Sequence, residues 1–585
     1  MISRRRHDHT ARSLVVAVVT LVTISACAGI PTSGPVTRVA DDGGFGESTV
    51  RYSPSRPIAD STPQQVVRGY LDAMLAYPQS SGTASAFLTP EGAKGWSPTA
   101  RVRVYSAPSV SATLAKSVGA DAAPTRVDVR LSLDEEARLD RQGHYTRRDR
   151  PSDITYRLER IKGEWRIANP QVGLLVSQKF FGDYFRPFDI FYFDRPGRRL
   201  VPDPVYRTVG DQLATGLVSS LVRGPGPSAE GTPRSYLPPL DSLRPSVPVS
   251  DDGVADVEFD TDFSALSESV QDHLSAQIVW TLRQVPDVTA VRLLGGTTVL
   301  SNSGSTVQDI DSWAGFGPNV APGHTYAIAR DKVVQIDDDR VEPLTGAWGE
   351  NARGAVFVGV SDDGVAGVLA GRSQVRITNR KGTGARTFGG SGFIAPRWDG
   401  EGAVWLLDRP GSQTRVRVLS DGMIRTLDVG GLAALAPSTF ALSPDASRYA
   451  VTIPGAGRDS IQVGRVLRDA DDRILGLGGP ARVFTGARSP RAATWSSGTE
   501  LSYLAESRSG RQIYSSAIDG SSTIEGISRG GALLPDVDAG TLAIGPDDTS
   551  PRYATDARKR LWYLPPGESW QLLSTTGVTG LTYGR

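Results

Sequence analysis

The sequence is poor in the residues that build disulfides and metal centres. Its 585 residues contain one cysteine and five histidines. A disulfide needs two cysteines, so no bridge within the chain is available. Two histidines lie within the first nine residues, and the others, His144, His273 and His324, fall in three different predicted modules without the spacing of metal ligands. We therefore expect these three side chains to be structural or solvent-facing, and we predict no metal site.

An excess of either charge is also missing. The chain has 64 Lys+Arg and 63 Asp+Glu. Loss of residues 1–26 as a signal peptide takes away four arginines and one aspartate, which leaves 60 basic and 62 acidic side chains. The remaining chain contains no long basic block. We therefore expect no nucleic acid as a partner and no strongly anionic surface as the main one.

Long apolar runs are absent, and the apolar run before the single cysteine is short. Four arginines precede residues 14–24, LVVAVVTLVTI, and Ser25, Ala26 and Cys27 follow. A charged segment, a short apolar segment and small residues in this order are typical of a secretory signal peptide. Eleven residues are too few to span a bilayer, which needs about 20. We predict that residues 1–26 are the signal and that residues 27–60, ending in a stretch rich in Asp, Gly, Ser and Pro, are a flexible tether.

The four residues Ile24-Ser25-Ala26-Cys27 resemble a bacterial lipobox. The resemblance implies an S-diacylglycerol group on the Cys27 sulfur, cleavage after Ala26, and an N-palmitoyl group on the new amino terminus. Two or more acyl chains anchor a protein durably, at about 0.8 kcal/mol per buried methylene. This predicts a lipid-anchored protein on the extracytoplasmic face of the cell membrane. The alternative is an ordinary exported protein with a chance cysteine.

A chain of this length is expected to hold several domains. Residues 61–187 predict an α+β module. Thr62 and Gln65 form a capping box around Pro63, and apolar residues then recur on one helical face. Alternating residues on both sides of Lys162-Gly163 predict a hairpin. One helix packed on such hairpins resembles the nuclear-transport-factor-like (NTF2-like) fold, although no acid/base cluster equips a pocket in it.

Eight aromatic residues crowd into residues 180–193, FFGDYFRPFDIFYF. One interpretation is a patch that contacts a partner or the membrane. The other is a junction that packs two modules together and ends in a strand. The sequence alone leaves both open.

Residues 188–300 predict an α/β module. Val209, Leu213, Leu217 and Leu221 share one helical face, and a strand, a second helix and a further strand follow. The segments "VYRTVGDQLATGLVSSLVRGP", "GVADVEFDTDFSAL" and "IVWTLRQVPDVTAVRLL" resemble the GerMN domain. That resemblance implies an extracytoplasmic module attached to a membrane complex, with no catalysis of its own.

Residues 313–585 predict an all-β propeller of about six blades. Six turns that lead into alternating strands recur at intervals of 36–52 residues, with markers at Gly323, Gly364, Gly400, Ala446, Gly498 and Asp548. Repeats of about 40–50 residues are typical of propeller blades with four strands each. The terminal segment GVTGLTYGR is suited to complete the first blade. The alternative is an array of β-sandwiches.

The patterns that suggest catalysis or metal binding are weak. Residues 526–530 match G-x-S-x-G, but Gly531 and Pro535 oppose the required helix, and no histidine follows His324. The aspartates at 337–339 and 469–472 lack the spacing of a calcium loop. We predict solvated turns there, and no catalytic residue, cofactor site or metal site.

Two further features have a functional and a structural interpretation each. The five arginines between Arg138 and Arg150 suit either lipid headgroups and acidic wall polymer or a solvated hairpin face. The second feature is a set of tryptophans that either line a ligand groove or pack blade against blade, namely Trp398, Trp405, Trp495, Trp562 and Trp570.

The whole order of lipobox, α+β module, GerMN domain and propeller resembles the LpqB family of actinobacterial lipoproteins. Seven lysines among 64 basic residues agree with a GC-rich genome. The resemblance implies a non-catalytic partner of the MtrA–MtrB two-component system, which contacts the extracytoplasmic part of the MtrB-type sensor kinase and influences envelope homeostasis and cell division. The alternatives are a non-catalytic envelope protein whose propeller binds a glycan or peptide, and a cryptic hydrolase, which the scattered histidines disfavour.

Overall fold

The computed structural model describes residues 54–584 apart from short gaps, at 77–80, 114–124, 227–233, 239–245, 319–322, 456–458, 484, 509, 522, 526–533, 536–537, 547–549, 551 and 567. Cys27, the lipobox and the G-x-S-x-G segment lie outside the described residues.

The N-terminal module is a five-stranded sheet covered by helices. Its elements in chain order are α1 (Pro63–Met74), α2 (Gly82–Ser85), α3 (Pro90–Gly95), β1 (Val102–Thr113), β2 (Arg126–Leu139), β3 (Tyr145–Ile161), β4 (Glu164–Ile167), β5 (Leu174–Ser177) and α4 (Gln178–Tyr184). The sheet order is β4-β3-β2-β1-β5, with only β1 and β5 parallel. The α+β class is confirmed, and the finer NTF2-like assignment stays a prediction.

Local sequence explains how α1 begins and which face it buries. The Thr62 hydroxyl accepts a hydrogen bond from the Gln65 N–H, and the Gln65 side-chain oxygen accepts one from the Thr62 N–H, so the predicted capping box is confirmed. Val67 and Tyr70 on the apolar face of α1 are almost fully buried in the same core as alternate residues of β2. The predicted hairpin is also confirmed, because β3 and β4 pair across Lys162-Gly163.

The second module joins a hairpin to a small mixed sheet. Its elements are β6 (Phe185–Phe193), β7 (Leu200–Thr208), α5 (Leu213–Arg223), β8 (Val254–Phe259), α6 (Glu268–Leu282), β9 (Ala290–Gly295), β10 (Thr298–Val299) and β11 (Gln308–Asp309). β8 and β9 are parallel, with α6 as the crossover between them. Val209 was predicted on the buried face of α5, but it lies before the helix and is exposed, because the helix begins at Leu213.

The aromatic segment is a junction between the first two modules. Phe181 and Phe185 stack in the core of the first module, whereas Phe188 and Tyr192 lie in the core of the second. Seven of the eight rings are buried, and Tyr184 is partly buried. The junction interpretation is confirmed, and the interpretation as an exposed patch is wrong.

The C-terminal region consists of six consecutive sheets with the short helix α7 (Ala347–Glu350) after the first. The strands are β12 (His324–Ala329), β13 (Lys332–Asp337), β14 (Arg340–Pro343), β15 (Ala355–Val360), β16 (Val365–Leu369), β17 (Gln374–Thr378), β18 (Arg386–Gly389), β19 (Arg397–Trp398), β20 (Val404–Asp408), β21 (Arg415–Ser420), β22 (Met423–Thr426), β23 (Thr439–Leu442), β24 (Arg448–Ile453), β25 (Ser460–Arg468), β26 (Ile474–Leu477), β27 (Ala481–Arg482), β28 (Arg488–Trp495), β29 (Glu500–Ser507), β30 (Gly510–Ala517), β31 (Thr523–Glu525), β32 (Ala539–Ile544), β33 (Arg552–Asp556), β34 (Arg560–Leu564), β35 (Gln571–Thr576) and β36 (Thr579–Gly584).

These sheets form a closed ring of six blades within the described residues. Blade 1 is ordered β14-β13-β12-β36, so the last strand of the chain completes the first blade, as predicted. Blades 2 to 6 begin at β15, β19, β23, β28 and β32. The first strands of neighbouring blades contact one another around the whole ring, with β36 between β32 and β15. The propeller is confirmed, and a sandwich array is wrong.

The turns that recur in the sequence occupy equivalent positions in the propeller blades. In blades 2 to 5 the marker turn joins the first strand of a blade to the second, for example Ser361–Gly364 between β15 and β16. In blade 1, Gly323 leads into β12, because the first strand of that blade comes from the other end of the chain. The first strands are the ones that surround the axis of the ring.

Candidate functional site

The three histidines lie in different parts of the fold and make different contacts. His324 is exposed and pairs with Asp337 at 2.6 Å, and His273 hydrogen-bonds the Gly197 carbonyl at 2.8 Å. His144 is buried between two carboxylates. No group of three or more His, Cys, Asp or Glu side chains suited to a metal occurs among the described residues.

His144 links the loop between β2 and β3 to the second module. Its Nδ1 lies 3.0 Å from Asp140 and its Nε2 lies 3.1 Å from Asp203 on β7. Asp203 is fully buried and also accepts a hydrogen bond from the Gly226 N–H at 2.7 Å. A side chain at position 226 would collide with the His144 ring, since a Cβ there would lie 2.4 Å from its Cδ2.

The charges of this cluster favour an ion pair. Burial alone would lower the pKa of His144, but hydrogen bonds from the ring to Asp140 and Asp203 raise it to about 9. Burial would raise the pKa of Asp203, but the hydrogen bond from His144 holds it below its ordinary value. An imidazolium therefore lies against a buried carboxylate near neutral pH, and the two modules share the pair.

The strand β7 also contacts the propeller. The buried guanidinium of Arg448 on β24 donates to the Pro202 carbonyl at 2.8 Å. The Tyr206 hydroxyl hydrogen-bonds Ser521, which lies between β30 and β31 of blade 5. Gly498 lies against the Pro202 ring, where a Cβ would approach it to 2.6 Å. All three modules therefore meet at β7.

Charged groups flank this meeting point. Arg199 pairs with Glu401 of blade 3, and Arg198 lies 3.4 Å from Asp472 of blade 4. Burial raises the pKa of Asp189, on β6, to about 6, with the charge of Arg448 acting in the opposite direction. Polar and charged contacts thus flank the packing of Gly498 against Pro202 at the interface between the second module and the propeller.

A cavity runs along the axis of the propeller. It is lined by residues from the first strand of every blade, including Val360 from blade 2, Leu442 from blade 4 and Ile544 from blade 6. Its empty volume is about 660 Å³, including the space at its open mouth. Among the described residues that line it, Arg397 alone carries a charged side chain.

Arg397 makes one hydrogen bond to the adjacent blade 4 and one to blade 1. Its Nε donates to the Phe440 carbonyl at 2.9 Å and its Nη1 donates to the Thr582 hydroxyl at 2.6 Å. Both acceptors are neutral. Burial lowers the pKa of the Arg397 guanidinium to about 10, so it stays protonated near neutral pH.

The five tryptophans divide between the two interpretations. Trp398 and Trp495 line the axial cavity, and their indole N–H groups donate to carbonyls of the preceding blades, Gly359 and Ala441. Trp405 packs blade 3 against blade 4 through Phe440. Trp562 and Trp570 lie in a core with residues of blade 5.

The acidic turns and the arginine run have local partners. Asp338 accepts hydrogen bonds from Tyr553 and Tyr563 of blade 6, and Asp469 accepts from two N–H groups of its own turn. Arg138 pairs with the buried Glu135, which also binds Arg103.

Asp203, Arg397 and Arg448 were not predicted as functional residues from the sequence. Asp203 had a signal that a partner was needed, because it is a charged residue between two prolines inside an apolar strand. Arg397 and Arg448 had none, because arginine is common on exposed strand faces. Only the closed ring brings Arg397 to Thr582, and only the contact between modules brings Arg448 to Pro202.

Family models match each of the three modules. Residues 56–182 match "Lipoprotein LpqB, N-terminal domain", residues 189–297 match "Sporulation and spore germination", and residues 331–580 match "Lipoprotein LpqB beta-propeller domain". These matches and the closed ring define a class of multidomain lipoproteins with a GerMN-type module before a C-terminal propeller.

Curated relatives named "Lipoprotein LpqB" extend these matches over most of the chain. One from Mycolicibacterium smegmatis is 28% identical over 80% of this chain and 84% of its own length. One from Streptomyces avermitilis is 24% identical over 95% of both chains. One from Thermobifida fusca is 28% identical over 66% of this chain and slightly less than two thirds, 64%, of its own length. The chain belongs to the LpqB family of lipoproteins.

Solved structures show more distant similarity. TolB from Acinetobacter baumannii is 10% identical, covers 45% of this chain and 66% of its own, and has a TM-score of 0.34. A chain of a nidogen/laminin complex is 12% identical, covers 45% of this chain and 98% of its own, and has a TM-score of 0.31. The propeller assignment depends on the sheets and the family model, not on these two similarities. In the described part of the chain, no helix has both the length and the apolar character to span a bilayer.

Proposed function

We propose that this chain is a lipid-anchored protein on the extracytoplasmic face of the cell membrane that regulates a sensor histidine kinase of the MtrB type without catalysing a reaction itself. The observation that carries the proposal is the match to LpqB family models at both ends of the described chain. Regulation of the MtrA–MtrB system would in turn influence envelope homeostasis and cell division.

The anchor gives the proposal its physical basis. Acylation of Cys27 after Ile24-Ser25-Ala26 would hold the modules at the membrane surface. Confinement beside a membrane-embedded kinase raises the effective concentration of the two proteins for each other. Weak docking surfaces are then sufficient for a regulatory contact.

The joined modules support a role in docking. β7 contacts the first module through Asp203 and the propeller through the Pro202 carbonyl. A partner that docks beside β7 therefore also meets surfaces of the neighbouring modules. Docking changes kinase activity only when it binds one kinase state more tightly than another.

Replacement of the anchor tests the first half of the proposal. We expect Cys27→Ser to release the protein from the membrane. In cells whose MtrA phosphorylation depends on this protein, the variant should have a weaker effect on that phosphorylation. As a matched control, the Cys27→Ser chain with a transmembrane helix in place of the signal peptide should regain both the membrane location and the effect on MtrA phosphorylation. Normal signalling by the released protein would contradict the role of the anchor.

Photo-crosslinking in intact cells tests the partner. A photoreactive residue placed on the exposed strand β22 of the propeller or at the exposed Lys179 of α4 should capture the kinase's extracytoplasmic domain from at least one site. Capture of wall polymer alone from every exposed site would contradict kinase regulation and would favour an envelope-binding protein.

A further inference from the structure

The axial cavity contains a cation whose protein partners are all neutral. Arg397 donates to one carbonyl and one hydroxyl, at 2.9 and 2.6 Å. No carboxylate of the described residues lies within ion-pair distance of it, in contrast to Arg415 and Arg468 on the same and the next blade, which pair with Asp408 and Asp399. Arg397 is only partly exposed. Cations that are largely withdrawn from water are normally paired, so this one points to a missing anion.

The Arg397 guanidinium has N–H donors left for such a ligand. It has five N–H donors in a planar fork, and the two hydrogen bonds to blades 4 and 1 use two of them. A carboxylate that accepts from the remaining donors would form charge-assisted hydrogen bonds, which are roughly twice as strong as neutral ones. The contacts to Phe440 and Thr582 hold the guanidinium in place before a ligand arrives.

The rest of the wall suits a small group with an apolar body. Trp398 and Trp495 line the cavity with their N–H groups already occupied, so they offer ring surface and not donors. The Thr582 hydroxyl accepts from Arg397, and the Tyr583 hydroxyl accepts from the Gly323 N–H at 2.6 Å. The combination of one fixed cation, hydroxyl groups and aromatic rings is typical of a site for a carboxylate.

We propose that the axial cavity of the propeller is a binding site for a carboxylate, held by Arg397 between Trp398 and Trp495. The carboxylate comes either from a small free acid or from the end of a peptide chain. This binding does not depend on the membrane anchor or on the kinase.

Fluorine NMR of the mature chain, labelled with 5-fluorotryptophan, tests the site. The Trp398 and Trp495 signals are assigned from Trp398→Phe and Trp495→Phe. We expect N-acetylglycine to shift at least one of these two signals saturably, and N-acetylglycinamide, which lacks the charge, to leave them unchanged. Acetate that binds as tightly as N-acetylglycine indicates a small free acid as the source, whereas weaker binding of acetate indicates a peptide terminus.

Variants show whether Arg397 is responsible. Arg397→Gln should weaken N-acetylglycine binding at least about tenfold, because the charge-assisted bonds are lost. Arg425→Gln, at an exposed arginine on β22, should leave binding unchanged. Thr582→Val removes one support of the guanidinium and should weaken binding less, which keeps the test decisive if Arg397→Gln does not fold.

Three results would overturn the proposal. The first is that none of the carboxylates shifts the Trp398 or Trp495 signal at concentrations up to tens of millimolar. The second is that inorganic phosphate shifts these signals while the carboxylates do not. The third is that Arg397→Gln and Thr582→Val, both shown to be folded by their thermal unfolding, bind N-acetylglycine as tightly as the unchanged chain does.

Discussion

Loss of the His144 charge should remove a pH-dependent part of the stability of the first two modules. His144 lies between Asp140 and the fully buried Asp203, and its pKa is raised from 6.5 to about 9. One pKa unit corresponds to about 1.36 kcal/mol, so the charged pair contributes about 3 kcal/mol. Because the pKa is higher in the folded state, this stability is fully present below pH 6.5 and is lost as the pH rises through about 9.

His144→Gln isolates this contribution, because the amide can still donate to Asp203 but carries no charge. We expect the variant to unfold about 6 °C below the unchanged chain at pH 6.5, since about 1 kcal/mol corresponds to about 2 °C for a unit of some 250 residues. The difference should shrink to about 2 °C or less by pH 10. Differential scanning calorimetry across this pH range measures both values.

The exposed pair of His324 and Asp337 provides the matched control. Both side chains are 48% exposed, so His324→Gln should change the unfolding temperature by no more than about 1 °C. A difference between His144→Gln and the unchanged chain that stays constant from pH 6.5 to 10 would refute the buried ion pair. Equal effects of the two glutamine variants would refute it as well.

Three further changes test other parts of the fold. Gly226→Ala should lower the unfolding temperature because its Cβ meets the His144 ring, whereas Gly389→Ala, with no atom within 4 Å of the new Cβ, should not. Asp399→Ala leaves the Trp405 N–H and two backbone N–H groups without their acceptor, so we expect a loss of about 2–4 kcal/mol in urea denaturation. Truncation before β36 opens the ring, and the cooperative propeller transition should disappear from calorimetry while the transition of the first modules remains.

Local sequence signals were sufficient where the structure depends on neighbours in the chain. The cap of α1 is contained in Thr62-Pro63-Gln64-Gln65, and the propeller turns recur at a period that counts the blades. The closing strand was predictable for the same reason, because blade 1 otherwise lacks a first strand. The end of α5 was marked by Gly224, but its start was not, since Val209 fits the helical period without belonging to the helix.

Contacts between modules were beyond sequence reasoning. His144 and Asp203 are 59 residues apart and belong to different modules, so no spacing rule connects them. The Arg397 guanidinium reaches Thr582 from 185 residues away, across the axis of a ring that forms only when β36 pairs with β12. A single sequence carries the composition of such sites but not the register that brings their members together.

The two interfaces between modules differ in their chemistry, and this difference has a functional consequence. β6 passes from one core to the next within three residues, with Phe185 in the first and Phe188 in the second, so separating these modules would expose buried rings. Beside the packing of Gly498 against Pro202, the propeller instead meets β7 through Arg448 and the Tyr206 hydroxyl, groups that water can also satisfy. Polar interfaces between the domains of one chain resemble those of transient complexes. Relative motion of the domains is therefore the default expectation. A partner that changes the arrangement of the modules would therefore act at the propeller interface, and not at the aromatic junction.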